Sequence, residues 1–160
     1  MSNETVLLDT DTLSELSRGN PRVVAKARTY LASFGRLTIT AVTVFERLRG
    51  YHAAIRDGKP FQRQLQAFET LASASVILPF DEDAAGVAAT IWAGATRRQR
   101  QQLGDLLIAA IAVARRIPLV TRNTRDFEGL GRSGGVSLRL MDWSSATRGT
   151  GPARLTKGGV

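Results

Sequence analysis

Leu103-Gly104-Asp105-Leu106-Leu107-Ile108-Ala109-Ala110-Ile111-Ala112-Val113-Ala114-Arg115 is followed, after Arg116-Ile117, by Pro118-Leu119-Val120-Thr121. The first segment is apolar nearly all round, which predicts a helix buried on every side. The second is short, apolar and without in–out alternation, as a strand covered on both faces should be. A buried helix feeding a covered strand points to helices packed on a parallel sheet.

The same grammar extends in both directions. Thr5-Val6-Leu7-Leu8 is an apolar run ending in Asp9 and reads as a first strand. Thr12-x-x-Glu15 fits a capping box, so a helix is expected from about Leu13 to Gly19-Asn20. Pro21 opens a second helix with Val24, Ala27, Leu31 and Phe34 at helical spacing. Leu37-Thr38-Ile39-Thr40 is a second strand. Val44, Phe45, Leu48, His52 and Ile55 then recur with a helix period, up to Asp57-Gly58. Pro60 starts a further helix carrying Phe61, Leu65, Phe68 and Leu71. Val76-Ile77-Leu78 is a third strand, and Asp81 a plausible N-cap for a helix with Ala84, Val87, Ile91 and Ala95 on one face. Arg97 to Gln102 is polar and basic. A loop is expected from Arg122 to Gly135, then a fifth strand at Val136-Ser137-Leu138-Arg139-Leu140. The expected fold is α/β: a three-layer α/β/α sandwich with a central, mostly parallel five-stranded sheet. It occupies residues 1–143, and 144–160 has almost nothing to bury and reads as a basic, disordered tail.

Composition narrows the chemistry. The 160 residues make one domain with a sizeable core. A hydrophobic share of 43% with 22% charged residues excludes collagen-like, disordered and coiled-coil architectures for most of the chain. Without cysteine there is no disulfide, thiolate metal site or cysteine nucleophile. His52 alone cannot build a histidine-rich zinc site and is expected to be a partly buried structural residue. No Gly-x-Ser-x-Gly elbow is present. The longest apolar run, Leu106 to Ala114, falls far short of the roughly 20 residues that span a bilayer. The N-terminus lacks a basic-then-apolar signal pattern, so a cytoplasmic protein without a membrane partner is expected. Net charge is +8, from 22 basic and 14 acidic residues. That balance favours polyanions, although GC-rich coding would also enrich arginine. Arginine supplies all but Lys26, Lys59 and Lys157 of the basic residues, and its fork suits phosphate.

In open parallel sheets ligands bind beyond the carboxyl ends of the strands. Asp9 and Asp11 follow the first strand, Glu46 lies just after the second, Asp105 opens the buried helix, and Asn123 and Asp126 follow the fourth strand. Several carboxylates in one pocket raise one another's pKa, and a divalent cation removes that cost. Oxygen-only ligands suit Mg²⁺ or Mn²⁺, ions that drive in-line phosphoryl chemistry. Each acid also has a plainer role: Asp9 and Asp11 as turn residues, Glu46 in a Thr43-x-x-Glu46 capping box, Asp105 at a helix N-terminus, Asn123 as an N-cap.

At these residues the chain resembles PIN-domain toxins of the VapC type. Leu7-Leu8-Asp9-Thr10-Asp11-Thr12-Leu13-Ser14-Glu15-Leu16 resembles the opening motif, with Asp11 where the family usually has Asn. Thr40 to Gly50 resembles the second motif, Gly104-Asp105-Leu106-Leu107-Ile108-Ala109-Ala110 the third, and Leu119 to Phe127 the fourth. Trp143 matches the usual closing Trp. The resemblance implies a Mg²⁺- or Mn²⁺-dependent endoribonuclease, the toxin of a toxin–antitoxin pair, with an antitoxin partner, an RNA substrate and a homodimer. By similarity Asp9, Glu46, Asp105 and Asp126 are the catalytic acids, with Asp9 and Asp105 on the metal. Thr10, Thr121 and Asn123 support them, Asn123 standing where many relatives have Asp. Arg47, Arg49, Arg98, Arg100 and Arg122 are candidates to hold RNA phosphates. Tyr30, Phe61 and Phe68 are expected to be exposed on helix faces that partners cover.

Two rivals and one decoy remain. Asp9-x-Asp11 also resembles the nucleophile motif of haloacid-dehalogenase-like phosphatases, but Leu13 stands where that pattern wants Thr, and no Lys lies between Lys59 and Lys157. A non-catalytic binder would keep the acidic pocket for a partner's Arg. Gly129-x-Gly131-x-x-Gly134 spells a dinucleotide fingerprint, but it precedes a strand rather than a helix.

Overall fold

The computed structural model describes residues 3–146. The expected tail therefore lies, from 147 on, outside the described residues. The elements are β1 (Leu7–Leu8), α1 (Thr10–Ser17), α2 (Pro21–Phe34), β2 (Thr38–Thr40), α3 (Ala41–Arg56), α4 (Gln62–Ser73), β3 (Val76–Leu78), α5 (Glu82–Gly94), α6 (Arg97–Gln101), α7 (Leu103–Arg115), β4 (Leu119–Val120), α8 (Thr124–Gly134) and β5 (Leu140–Met141).

Every strand ladder among the described residues is parallel. Hydrogen-bonded ladders join β1, β4 and β5 in one group and β2 with β3 in another. β1 packs beside β2, which gives the order β3-β2-β1-β4-β5. Alternate side chains of the central strands enter opposite layers. Leu7 and Leu119 pack with α5, α7 and α8 through Ile91, Ile108 and Phe127. Leu8 and Val120 pack with α2, Ile39 and Trp143. The three-layer α/β/α arrangement follows from this split, and α7 is buried from Ile108 to Ala112.

Several local expectations are corrected. α1 begins at Thr10, because the Asp9 side chain caps it. Thr12 is no cap: its hydroxyl donates to Val120 O at 3.1 Å and ties the helix to β4. α2 is turned by one residue, burying Val23, Ala27 and Tyr30 while Leu31 is exposed. Tyr30 is thus a core residue: its hydroxyl accepts from Val6 N at 3.2 Å, and its ring stacks on Phe34. Phe68 is likewise buried. α3 turns Val44, Leu48 and Tyr51 inward and leaves Phe45 and His52 outside, so His52 is not the partly buried residue expected.

The segment from Thr124 to Gly134 is helix α8, not loop. Its glycines permit close packing on α5. A Cβ at Gly134 would lie 2.9 Å from Ile91 Cα, and one at Gly94 would collide with the Ser133 carbonyl. The glycine-rich run is therefore a helix–helix contact. β5 is shorter and later than expected. Val136, Leu138 and Leu140 all pack on the core, but only Leu140 and Met141 join the ladder.

Candidate active site

Register sets the centre of the site. β1 and β4 align Leu8 with Val120, so the next residues, Asp9 and Thr121, emerge side by side at the carboxyl edge. Asp9 is 3% exposed. Its Oδ1 accepts from Thr10 N at 2.7 Å and its Oδ2 from the Thr121 hydroxyl at 3.0 Å. Asp11, in the first turn of α1, approaches the same hydroxyl at 3.3 Å and accepts from Arg122 N at 3.4 Å. Thr121 has one proton for two carboxylates. Its own oxygen accepts from Asn123 N at 3.0 Å.

β2 delivers Glu46. Thr40 ends the strand and caps α3 by accepting from Thr43 N. The capping-box role considered for Glu46 is thereby excluded, and its carboxylate turns to the site. Glu46 Oε1 accepts from the Thr10 hydroxyl at 3.2 Å. Thr10 meets Thr43 hydroxyl to hydroxyl at 3.0 Å, and Thr43 accepts from Thr40 at 3.3 Å. Three threonine hydroxyls thus form a chain ending on Glu46. Gly104 closes the other side: a Cβ there would sit 2.9 Å from Glu46 Oε2. A side chain at 104 would therefore push the Glu46 carboxylate from its present place.

Asp105 follows in that same turn, and Asp126 stands in the first turn of α8. Asn123 Nδ2 donates to Asp126 Oδ2 at 3.0 Å, so Asn123 holds an acid in place. The groups feel one another. Burial first, then the charges of Asp11 and Asp105, push Asp9 up to about 8. Burial, then Glu46, Asp11 and Asp126, raise Asp105 to about 6. Asp105 thus feels Glu46, Asp11 and Asp126, and Asp9 feels Asp11 and Asp105, so the four acids expected at the site come near one another together with Asp11, which sequence reading weighed without selecting. Thr43 and Gly104 also belong here. A threonine at a helix start and a glycine beside an acid were the only available signals.

The donor set is all oxygen and carries excess negative charge in a buried place, which fits a hard divalent cation. Among the described residues no three of these acids are already gathered into a metal cage. Mg²⁺ does not need one, since it keeps several waters and takes one or two carboxylates.

The arginines expected at RNA divide. Arg122 pairs with Glu15 at 3.1 Å, and Arg100 donates to Trp92 O at 3.0 Å while lying over the Trp92 ring. Both are engaged within the protein. Arg49 lies over Phe45, itself 62% exposed, and Arg47 over Phe68. Arg98 lines a cavity with Arg125, Asp126 and Arg132. No helix among the described residues is long and apolar enough to cross a membrane.

Comparison with known proteins identifies the family and the fold. The PIN domain family model matches residues 6–132. The VapC ribonuclease Y4jK of Sinorhizobium fredii is 36% identical over 131 residues, covering 79% of this chain and 92% of that protein. The tRNA(fMet)-specific endonuclease VapC of Shigella flexneri is 35% identical over 112 residues, covering 69% of this chain and 77% of its own length. Among solved structures, DNA-bound VapBC from Salmonella typhimurium superposes with a TM-score of 0.68 at 24% identity, covering 87% of this chain and 98% of that one. VapBC-1 from nontypeable Haemophilus influenzae gives 0.67 at 22% identity, covering 89% and 100%. With the acids ordered along the strand edge as they are, the chain belongs to the PIN-domain family, among its VapC-type nucleases.

Proposed function

We propose that the protein is a divalent-metal-dependent endoribonuclease and the toxin of a toxin–antitoxin pair. The observation that carries the chemistry is the convergence of Asp9 and Asp105, both raised by burial and by neighbouring acids, with Glu46 and Asp126 close enough to raise Asp105. Asp9 and Asp105 would hold Mg²⁺ or Mn²⁺, which when bound offsets their repulsion and stabilises charge on the phosphate. Glu46, steadied by the threonine chain, takes a proton from the attacking water. The water oxygen bonds to phosphorus, the bond to the 3′-oxygen breaks, and the departing oxygen takes up a proton. Products then carry a 5′-phosphate and a 3′-hydroxyl.

An antitoxin partner is supported by the solved relatives, which are VapBC complexes. A homodimer and the antitoxin would cover the apolar side chains that remain exposed, Leu31, Phe45, Ile77, Phe80, Trp92 and Leu103. The phosphatase alternative fails on the family and on Leu13, which is fully buried rather than a polar group at the site.

The test is cleavage of end-labelled structured RNAs with Mg²⁺ or Mn²⁺, wild type beside Asp105→Asn. Discrete metal-dependent cuts that vanish in the variant support the reading. Cutting that survives the variant refutes the site. Absence of cutting by metal-loaded wild type on every RNA favours a protein that only binds.

A further inference from the structure

Beside Glu46 lies a cavity of about 310 Å³ between α3 and the segment that joins it to α4. Its walls are Glu46, Arg47, Gly50, Tyr51, Lys59 and Phe61. Arg47 Nε is shut off from solvent and is the one such side-chain nitrogen or oxygen among the described residues without a hydrogen-bond partner. Leaving a charged donor without an acceptor is costly, and no salt bridge among the described residues engages the rest of the Arg47 guanidinium. Tyr51 and Phe61 supply the aromatic wall, their ring centroids 6.4 Å apart, and Tyr51 is backed by the buried Phe68. Gly50 has open space where a side chain would project.

Cation and aromatic in one cavity match the two halves of a nucleotide: phosphate for Arg47 and Lys59, base for the ring wall. We propose that this cavity is a nucleotide subsite, holding one unpaired residue of the RNA next to the bond that is cut. The proposal rests on the ribonuclease reading, because Glu46 is common to the cavity and the acid cleft. It implies that substrates present an unpaired nucleotide on one fixed side of the cut, since a base inside a duplex cannot reach the ring wall. A protein partner's acidic side chain would satisfy Arg47 but would leave the aromatic wall unused.

The test uses the full chain carrying Asp105→Asn, so that RNA is bound but not cut. The probe is a fluorescent single-stranded oligoribonucleotide spanning a mapped cut, with 2-aminopurine placed on either side of it in turn. Gly50→Leu fills the cavity from an open helix position and should not lower the melting temperature. Arg47→Ala removes the donor. The expected result is at least tenfold weaker binding with each variant, and 2-aminopurine quenching on one side of the cut only, lost in Gly50→Leu. Unchanged affinity and quenching in a folded Gly50→Leu protein overturn the subsite while wild-type cleavage still stands. Failure of the Asp105→Asn parent to bind the oligonucleotide overturns it as well. Failure of the ribonuclease reading itself is seen separately, as wild type that cuts no RNA.

Discussion

Without metal, this protein should lose stability as pH rises. Asp9 is buried and its pKa in the folded chain is about 8, against 3.8 for the ordinary side chain. Between those values the folded state holds a proton that the unfolded state has released. Each pH unit in the window therefore costs about 1.4 kcal/mol. From pH 5 to pH 7 Asp9 alone removes on the order of 3 kcal/mol by that slope. Asp105, raised to about 6, adds to the loss below pH 6 and little above it. For a domain of this size about 1 kcal/mol corresponds to 2–4 °C, so the melting temperature in EDTA should fall by on the order of 5–10 °C over that range. Asp9→Asn isolates the cause. The amide keeps one acceptor of the two that serve Thr10 N and Thr121, at a cost of roughly 1 kcal/mol. It also removes the titration. The variant should be less stable than wild type at pH 4 and more stable at pH 8, with the curves crossing below pH 5. Saturating Mg²⁺ should raise wild type more at pH 8 than at pH 5, because bound metal requires the released carboxylates. Thermal unfolding by circular dichroism across four pH values settles it. Parallel curves for wild type and Asp9→Asn, or an equal Mg²⁺ shift at every pH, would refute the reasoning.

Other outcomes follow from single contacts. Glu46→Gln should lower the cleavage rate at least 100-fold with RNA affinity nearly unchanged, as loss of a general base does; fluorescence anisotropy beside a rate assay separates the two. Thr43→Val keeps shape at a fully buried position but breaks the hydroxyl chain, and should cut kcat about tenfold with KM unchanged. Gly134→Ala drives a methyl group against Ile91 and should cost about 1–3 kcal/mol, whereas Gly86→Ala, in open space on α5, should gain about 0.5–1 kcal/mol; urea unfolding of both distinguishes packing from helix propensity.

Apolar runs and strand-end acids made the architecture and four of the five acids legible. Burial of α7 and the strands is written in composition, and position after a strand is written in order. Features that depend on a distant partner were not. Thr12 has the spacing of a cap but spends its hydroxyl on β4, while the true cap is the acid before it. The glycines of α8 look like a loop until α5 is beside them. α2 and α3 each turned by one residue, because packing against Val6 and Phe68 favoured Tyr30 and Tyr51 over the purely aliphatic stripe. Arg100 and Arg122 carry the charge expected of RNA contacts, and their contacts with Trp92 O and Glu15 depend on where α5 and α1 lie. Gly104 matters by what it lacks, and no sequence pattern displays an absence.

Asp9 also has a consequence for how such a protein ages in a genome. One residue caps a helix, fills a core position and carries a charge that burial resists. Selection for a sturdy fold and selection for cleavage pull on it in opposite directions near neutral pH. Once a cell no longer depends on the activity, neutralising this acid is a one-step change that removes harm and strengthens the domain together. Inert descendants of this lineage should therefore be recognised by a well-kept scaffold with an amide at position 9, and not by decay spread through the core.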